Sequence, residues 1–294
     1  MLGLELERFI HEDLGEWDDS SDIVPHIDTE AIIVAKEACV ISGLAEASQI
    51  LRYFGLKPEL QFDEGEYVTP GASIISIDGD ARFILQSERL VLNFISRMSG
   101  ISTLTRECVK RASRKDDHIR VACTRKTTPG FRRFEKKAVF LGGGDTHRFN
   151  LSDTVLIKDN HIKVLGLDEC IRRAKLQASF TKKIEVEVEN LEYMLKAAKL
   201  GVDIIMFDNM KPHAIRSGVQ ELTEYSLRDK VILEASGGIT LENIEDYAST
   251  GVDIISMGTL TRNAPWIDFS LEIMLPRKSD NVETEQTFRG LRST

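Results

Sequence analysis

Residues 184–208 read IEVEVENLEYMLKAAKLGVDIIMFD, and this stretch decides the fold. A strand-like run is followed by a helical pattern, a glycine, and a second apolar run that stops at Asp208. Strand and helix alternating at this length imply a βαβ unit and a parallel sheet. The texture extends in both directions through IRVAC (119–123), TVLIK (154–158), VILEAS (231–236) and DIISMG (253–258). The unit also repeats. Glu189-Asn190 leads to GVDII at 201–205, and Glu242-Asn243 leads to GVDII at 251–255. Gly201 and Gly251 suit the left-handed residue that ends a helix, and Thr240 suits an N-cap. Six such strands predict an α/β fold with an incomplete (β/α) barrel. A doubly wound open sheet competes, but no GxGxxG follows the first run. In both architectures the chemistry belongs at the carboxyl ends of the strands.

The first hundred residues are mixed. Residues 30–42 read as a strand, and EGEYVTPGASIISIDGD (64–80) as turn, strand and turn around Pro70-Gly71. Residues 81–112 are helix-like, with Ser99-Gly100 predicted to split them into two helices. A length of 294 residues suggests two domains, or one barrel with an appendage. A hydrophobic share of 42% excludes a disordered or fibrous chain. The net charge of −9 argues against nucleic-acid and membrane-surface partners. No run approaches the roughly 18 to 20 apolar residues of a membrane span. The opening MLGLELERFIHEDLGEW lacks a signal-peptide core, so a cytoplasmic protein is expected. Cys39, Cys108, Cys123 and Cys170 form no CxxC pair and read as buried free thiols.

The strand ends carry Arg125 and Lys126, Lys158, Glu187, Asp208, Ser236 and Gly258, where a barrel core would place Val, Ile and Leu. Residues 124–163 hold nine Lys and Arg against four Asp and Glu in an otherwise acidic chain. Charge segregated this way suggests a pocket for a multiply anionic small ligand. Within it, Arg132 to Lys137 read as a solvated helix face. Glu185, Glu187 and Glu189 share one strand face, and a barrel turns that face inward. Buried carboxylates need cations, here the Arg125, Lys126 and Lys158 set or Mg²⁺. The alternative is an edge strand with its glutamates in water. Asp208 with Glu187 suits Mg²⁺ or a pair of ribose hydroxyls. SGGI (236–239) and MGTLT (257–261) each follow a strand and suit phosphate. His147 and Arg148 follow the glycine run 142–144 and read as ligand contacts, with His161 behind them. Lys158 alone also admits a Schiff-base aldolase.

TRKTTPG (124–130), GGGDTHR (142–148), LIKDNHI (156–162), EVEVEN (185–190), FDN (207–209), EASGGI (234–239) and MGTLT closely resemble the quinolinate phosphoribosyltransferase family. ERLVLNFISRMSGIST (88–103) and HEDLGEWD (11–18) resemble its N-terminal signatures. The chain departs from the family at Thr146, where NHR is usual, and at SDIV (21–24), where GDIT is usual. The resemblance implies an N-terminal α/β sandwich domain over 1–105 and an α/β-barrel domain over 106–267. Residues 268–294 are expected to pack back on the first domain or to be partly disordered. It implies a pentosyltransferase that converts quinolinate and 5-phosphoribosyl 1-pyrophosphate to nicotinate mononucleotide, pyrophosphate and CO₂ in NAD biosynthesis. It implies a homodimer or larger assembly, with Arg89 reaching the partner subunit's site. Thr124, Arg125, Lys126, His147, Arg148 and Lys158 are the implied ligand contacts, with Lys126, Lys158, Glu187 and Asp208 catalytic. Mg²⁺ is expected at Glu187 and Asp208, directly or through water. Ser236, Gly237, Gly238, Met257, Gly258 and Thr259 are the implied phosphate loops. The competing functions are a ModD-like paralogous phosphoribosyltransferase with another heterocycle, and a non-catalytic phosphoribosyl-ligand sensor.

Overall fold

A computed structural model describes residues 3–15, 18 and 20–274. The N-terminal part runs α1 (Gly3–Leu14), β1 (Asp28–Ala35), β2 (Cys39–Val40), α2 (Leu44–Tyr53), β3 (Lys57–Leu60), β4 (Tyr67–Val68) and β5 (Ser73–Asp80). The helix α3 (Ala81–Ser113) leads into the barrel. There follow β6 (Arg120–Ala122), α4 (Arg132–Leu141), β7 (Val155–Ile157), α5 (Asp159–Leu165), α6 (Leu167–Gln177), β8 (Ile184–Val188) and α7 (Leu191–Lys199). The chain continues through β9 (Ile204–Asp208), α8 (Pro212–Glu224), β10 (Ile232–Ser236), α9 (Ile244–Ala248), β11 (Ile254–Ser256), α10 (Thr259–Arg262) and β12 (Phe269–Met274).

The six expected strands form one parallel sheet in the order β6-β11-β10-β9-β8-β7, and β6 does not pair with β7. The barrel is therefore incomplete. Its register aligns the strand ends: Ser236 lies level with Asp208 and with Ser256, and Glu187 with Met206. Both GVDII glycines are left-handed, Gly201 at φ +68° and Gly251 at φ +89°. The second helix begins at Ile244 with Asn243 as its N-cap, three residues beyond Thr240. Thr240 instead donates its backbone N–H to Asn243 Oδ1 at 2.8 Å.

The N-terminal sheet has the order β12-β1-β5-β3, all antiparallel. Residues 269–274 thus return to the first sheet by pairing with β1. The expectations for 275–294 lie outside the described residues. Residues 30–42 do not make one strand, because β1 ends at Ala35 and β2 begins at Cys39. All four cysteines are free and buried, as expected, and burial pushes the Cys39 and Cys108 thiols up to about 12.

The predicted break at Ser99-Gly100 does not occur, since α3 runs unbroken for 33 residues. Glycine serves contact there rather than a break. A Cβ on Gly100 would meet the Pro265 carbonyl oxygen at 1.7 Å. The segment after α10 crosses the helix directly at this point. Gly100→Ala is expected to cost about 3 kcal/mol, because backbone cannot yield as a side chain does. Thermal unfolding checks this, and an unchanged melting temperature would contradict the close crossing.

Candidate active site

A cavity of about 620 Å³ opens at the carboxyl ends of the barrel strands, within the range of small-molecule sites. Thr124, Arg125 and Lys126 reach it from the segment after β6, and His147 and Arg148 from the loop before β7. Lys158 enters after β7, Glu187 and Asp208 on β8 and β9, and Ser236, Gly237 and Gly238 after β10. Parallel strands put successive loops on one rim, so residues over a hundred positions apart converge.

Three of the expected phosphate-loop residues do not line the cavity. Met257 is 1% exposed and belongs to the core. Gly258 leaves room for Lys126, whose Cδ a Cβ would meet at 3.0 Å. Thr259 donates its hydroxyl to the Ile239 carbonyl at 3.2 Å. Arg89 is exposed on α3, where its charge acts on Asp13, and does not line this cavity.

Lys158 Nζ donates to Glu187 Oε1 at 2.5 Å, one of the expected ion pairs. His161 supports it: its Nδ1 accepts the Lys158 backbone N–H at 2.9 Å and so fixes the start of α5.

Beneath these groups lies an arrangement that sequence reading half missed. Glu185 faces inward as expected, with no exposed surface, but among the described residues no lysine or arginine pairs with it. Its neighbours are His147, at 3.8 Å, and Glu234, also without exposed surface. His147 Nδ1 accepts the Arg148 backbone N–H at 2.7 Å. Its proton therefore sits on Nε2, which donates to Glu234 Oε2 at 3.2 Å. His147 adopts φ +50°, held by a 2.7 Å bond from its N–H to Asp145 Oδ1. Glu234 had one signal in the sequence, an acid inside the apolar run VILEAS two residues before its end. Glu234 and Glu187 lie level with Met206 from either side, and all three line the cavity.

Of the residues from Arg132 to Lys137, read as a solvated face, Arg133 is exposed and the other basic ones are engaged by the fold. Lys136 is 2% exposed, and its Nζ donates to the Thr146 carbonyl and to Cys123 Sγ at 3.4 Å. It props the loop that carries His147. Lys137 pairs with Glu46 at 2.7 Å and Glu64 at 2.8 Å, and Arg132 donates to Thr127 Oγ1 at 2.9 Å. The helix faces other elements of the fold, which its charge pattern could not reveal.

The cavity also carries cations that the protein itself leaves short of partners. Burial, and then the neighbouring Arg125, push the Arg148 pKa down, yet a guanidinium stays charged. Arg125 Nε is buried without an acceptor among the described residues. Two adjacent guanidinium groups with an unused donor call for an anionic ligand with forked acceptors. Asn209 and Arg262 also line the cavity and were not anticipated. Asn209, at φ +55°, crowds Gly237, where a Cβ would meet its Oδ1 at 2.3 Å.

Burial, and then the charge of Glu234, push the Glu185 carboxyl up to about 7 from 4.5. A raised carboxyl pKa favours the protonated folded form. Its penalty is absent below pH 4.5, grows from there to about 7, and is full above. Glu185→Gln is therefore expected to stabilise the protein by about 2 kcal/mol at pH 8 and by almost nothing at pH 4.5. Melting curves across that range check it, and a difference independent of pH would contradict it.

Comparison with known proteins agrees with this geometry. The family model of the quinolinate phosphoribosyl transferase N-terminal domain matches residues 19–99, and that of its C-terminal domain matches residues 101–272. The chain is 45% identical over 271 residues to the probable nicotinate-nucleotide pyrophosphorylase (carboxylating) of Methanothermobacter thermautotrophicus, covering 91% of this chain and 97% of that one. It is 36% identical over 246 residues to the human nicotinate-nucleotide pyrophosphorylase (carboxylating), covering 83% and 82%. The crystal structure of nicotinate-nucleotide pyrophosphorylase from Ehrlichia chaffeensis superposes with a TM-score of 0.87 at 30% identity, covering 93% and 99%. NadC from Streptococcus pyogenes superposes at 0.85 with 37% identity, covering 92% and 95%. The chain belongs to the quinolinate phosphoribosyltransferase family and carries both of the family's domains.

Proposed function

We propose that the protein is a quinolinate phosphoribosyltransferase of NAD biosynthesis. It joins quinolinate to 5-phosphoribosyl 1-pyrophosphate and releases nicotinate mononucleotide, pyrophosphate and CO₂. The observation that carries this reading is the gathering of Arg125, Lys126, Arg148 and Lys158 with Glu187 and Asp208 around one cavity. A dicarboxylate and a sugar phosphate need that charge pattern together.

The two quinolinate carboxylates take Arg125, Arg148 and Lys158, whose guanidinium forks suit planar anions. His147 assists, and Arg89 arrives from the partner of a homodimer. The exposed position of Arg89 on α3 supports this role. Glu187 and Asp208 take the ribose hydroxyls. The backbone at Ser236–Gly238, which lines the cavity, takes the 5′-phosphate, and Gly258 packs against the Lys126 stem beside it. Two carboxylates at neighbouring strand ends suit Mg²⁺, a cation of oxygen ligands that keeps much of its water. When bound, it supplies charge neutralisation of the pyrophosphate leaving group. Glu187 already pairs with Lys158, which favours contact through water.

Lys126 balances the charge that develops on pyrophosphate as its bond to the anomeric carbon breaks. The quinolinate nitrogen forms the new bond to that carbon and becomes cationic. The ring 2-carboxylate then leaves as CO₂, its bonding electrons remain on C2 beside the cationic nitrogen, and C2 takes a proton from water. No side-chain nucleophile is needed, and catalysis rests on positioning and electrostatics. Among the described residues no helix is long and apolar enough to cross a membrane. The negative net charge fits small-molecule partners in the cytoplasm rather than nucleic acid.

Purified protein with quinolinate, phosphoribosyl pyrophosphate and Mg²⁺ is expected to form nicotinate mononucleotide with equimolar CO₂, and nicotinate is not expected to replace quinolinate. Binding of both ligands without turnover would overturn this in favour of a paralogous enzyme or a sensor. Lys126→Ala is expected to lower kcat by roughly a hundredfold or more while quinolinate still binds. Near-normal turnover would remove its assigned role. Mixed dimers of Arg89→Ala and Lys158→Ala subunits are expected to recover activity, because one of their two sites is intact. A confirmed mixed dimer without activity would exclude the shared site.

A further inference from the structure

Ligand loops at strand ends have no ladder to hold them, so something else must fix the two that flank Lys126. The structure offers a closed circuit of hydrogen bonds that begins outside the barrel sheet. Arg97 of α3 is 11% exposed at its side chain and Glu135 of α4 is fully buried, and they pair at 2.8 Å. Arg97 also donates to the carbonyls of Thr261 and, at 3.2 Å, Ala264. Glu135 accepts the Thr128 hydroxyl and the Thr128 backbone N–H, each at 3.0 Å. Thr128 lies two residues after Lys126 in TRKTTPG. Thr261 returns the connection, because its hydroxyl donates to the Lys126 carbonyl at 2.7 Å. Between these anchors Gly258 lies against the Lys126 stem.

We infer that Arg97 and Glu135 are positioning residues that lock the 124–130 and 257–262 loops into one unit. They thereby hold the Lys126 stem against Gly258 and fix where its ammonium enters the cavity. The ion pair touches no lining group of the catalytic cavity directly. A planar guanidinium reaches three oxygens at once, whereas an ammonium lacks that fixed fork. The circuit grips the first loop at Lys126 and Thr128, beyond Arg125, and makes no contact with Arg148 or Lys158, the other residues assigned to quinolinate. It therefore acts first on the substrate that Lys126 serves, the phosphoribosyl donor. This inference rests on the proposed reading of the cavity as a phosphoribosyl pyrophosphate site.

Thr128→Ala and Thr261→Val each open the circuit without stranding a buried charge, so both variants fold. Each is expected to raise KM for phosphoribosyl pyrophosphate about tenfold while KM for quinolinate stays within about twofold. The double variant is expected to cost less than the product of the singles, because either change opens the same circuit. Arg97→Lys keeps the charge and loses the fork, and is expected to show the same split. Equal rises in both KM values, or a lowered melting temperature with unchanged kinetics, would overturn the inference. If the wild type does not turn over quinolinate, the failure lies with the proposed function. Direct binding of phosphoribosyl pyrophosphate to the same variants then decides the circuit separately: about tenfold weaker binding supports it and unchanged binding overturns it.

Discussion

Parallel pairing is the constraint on which the rest of this structure depends. Six strands joined by helical crossovers run the same way, so every strand delivers its carboxyl end to one rim. Because Ser236 is level with Asp208 and Ser256, and Glu187 with Met206, the side chains at that rim stand in one ring of positions. The cavity follows from this arrangement rather than from any one loop.

The rim is organised in depth by charge. Near the top, Arg125 and Arg148 lie together and have more donors than the protein satisfies. Farther in, Glu185 and Glu234 have no exposed surface and face His147. Such groups are costly to bury, so a protein with no use for them would replace them by apolar residues. Lys136 follows the same logic, since a buried ammonium is held on the carbonyl that precedes His147. Neither layer serves stability first.

The helix α3 joins the two halves of the chain. It packs on α2 and β2 of the N-terminal part and on α4, α9 and β6 of the barrel. At Gly100 it admits the backbone of Pro265, and its Arg97 reaches the 257–262 loop directly and the 124–130 loop through Glu135. A helix split at Ser99-Gly100 could not hold those two positions in one rigid frame. The local signal for a break was real, but glycine here answers to a crossing chain.

The sequence by itself determined the six barrel strands, their parallel sheet and which residues stand at the strand ends, because these depend on local periodicity and on where an apolar run stops. The basic and acidic groups around the cavity were legible for the same reason. Tertiary structure alone decided what each charged group faces. Glu185 was read as a partner for lysine or arginine and instead meets His147 and Glu234, since its neighbours come from a strand and a loop distant in sequence. Arg132 to Lys137 looked solvated because helical charge patterns do not say which face another helix covers. Arg97 and Glu135 are 38 residues apart, and Arg97 is 164 residues from Thr261, yet the pair converges on Thr128 and Thr261. Periodicity reports which residues share a face of one element, whereas pairing between elements is set by how the whole chain packs.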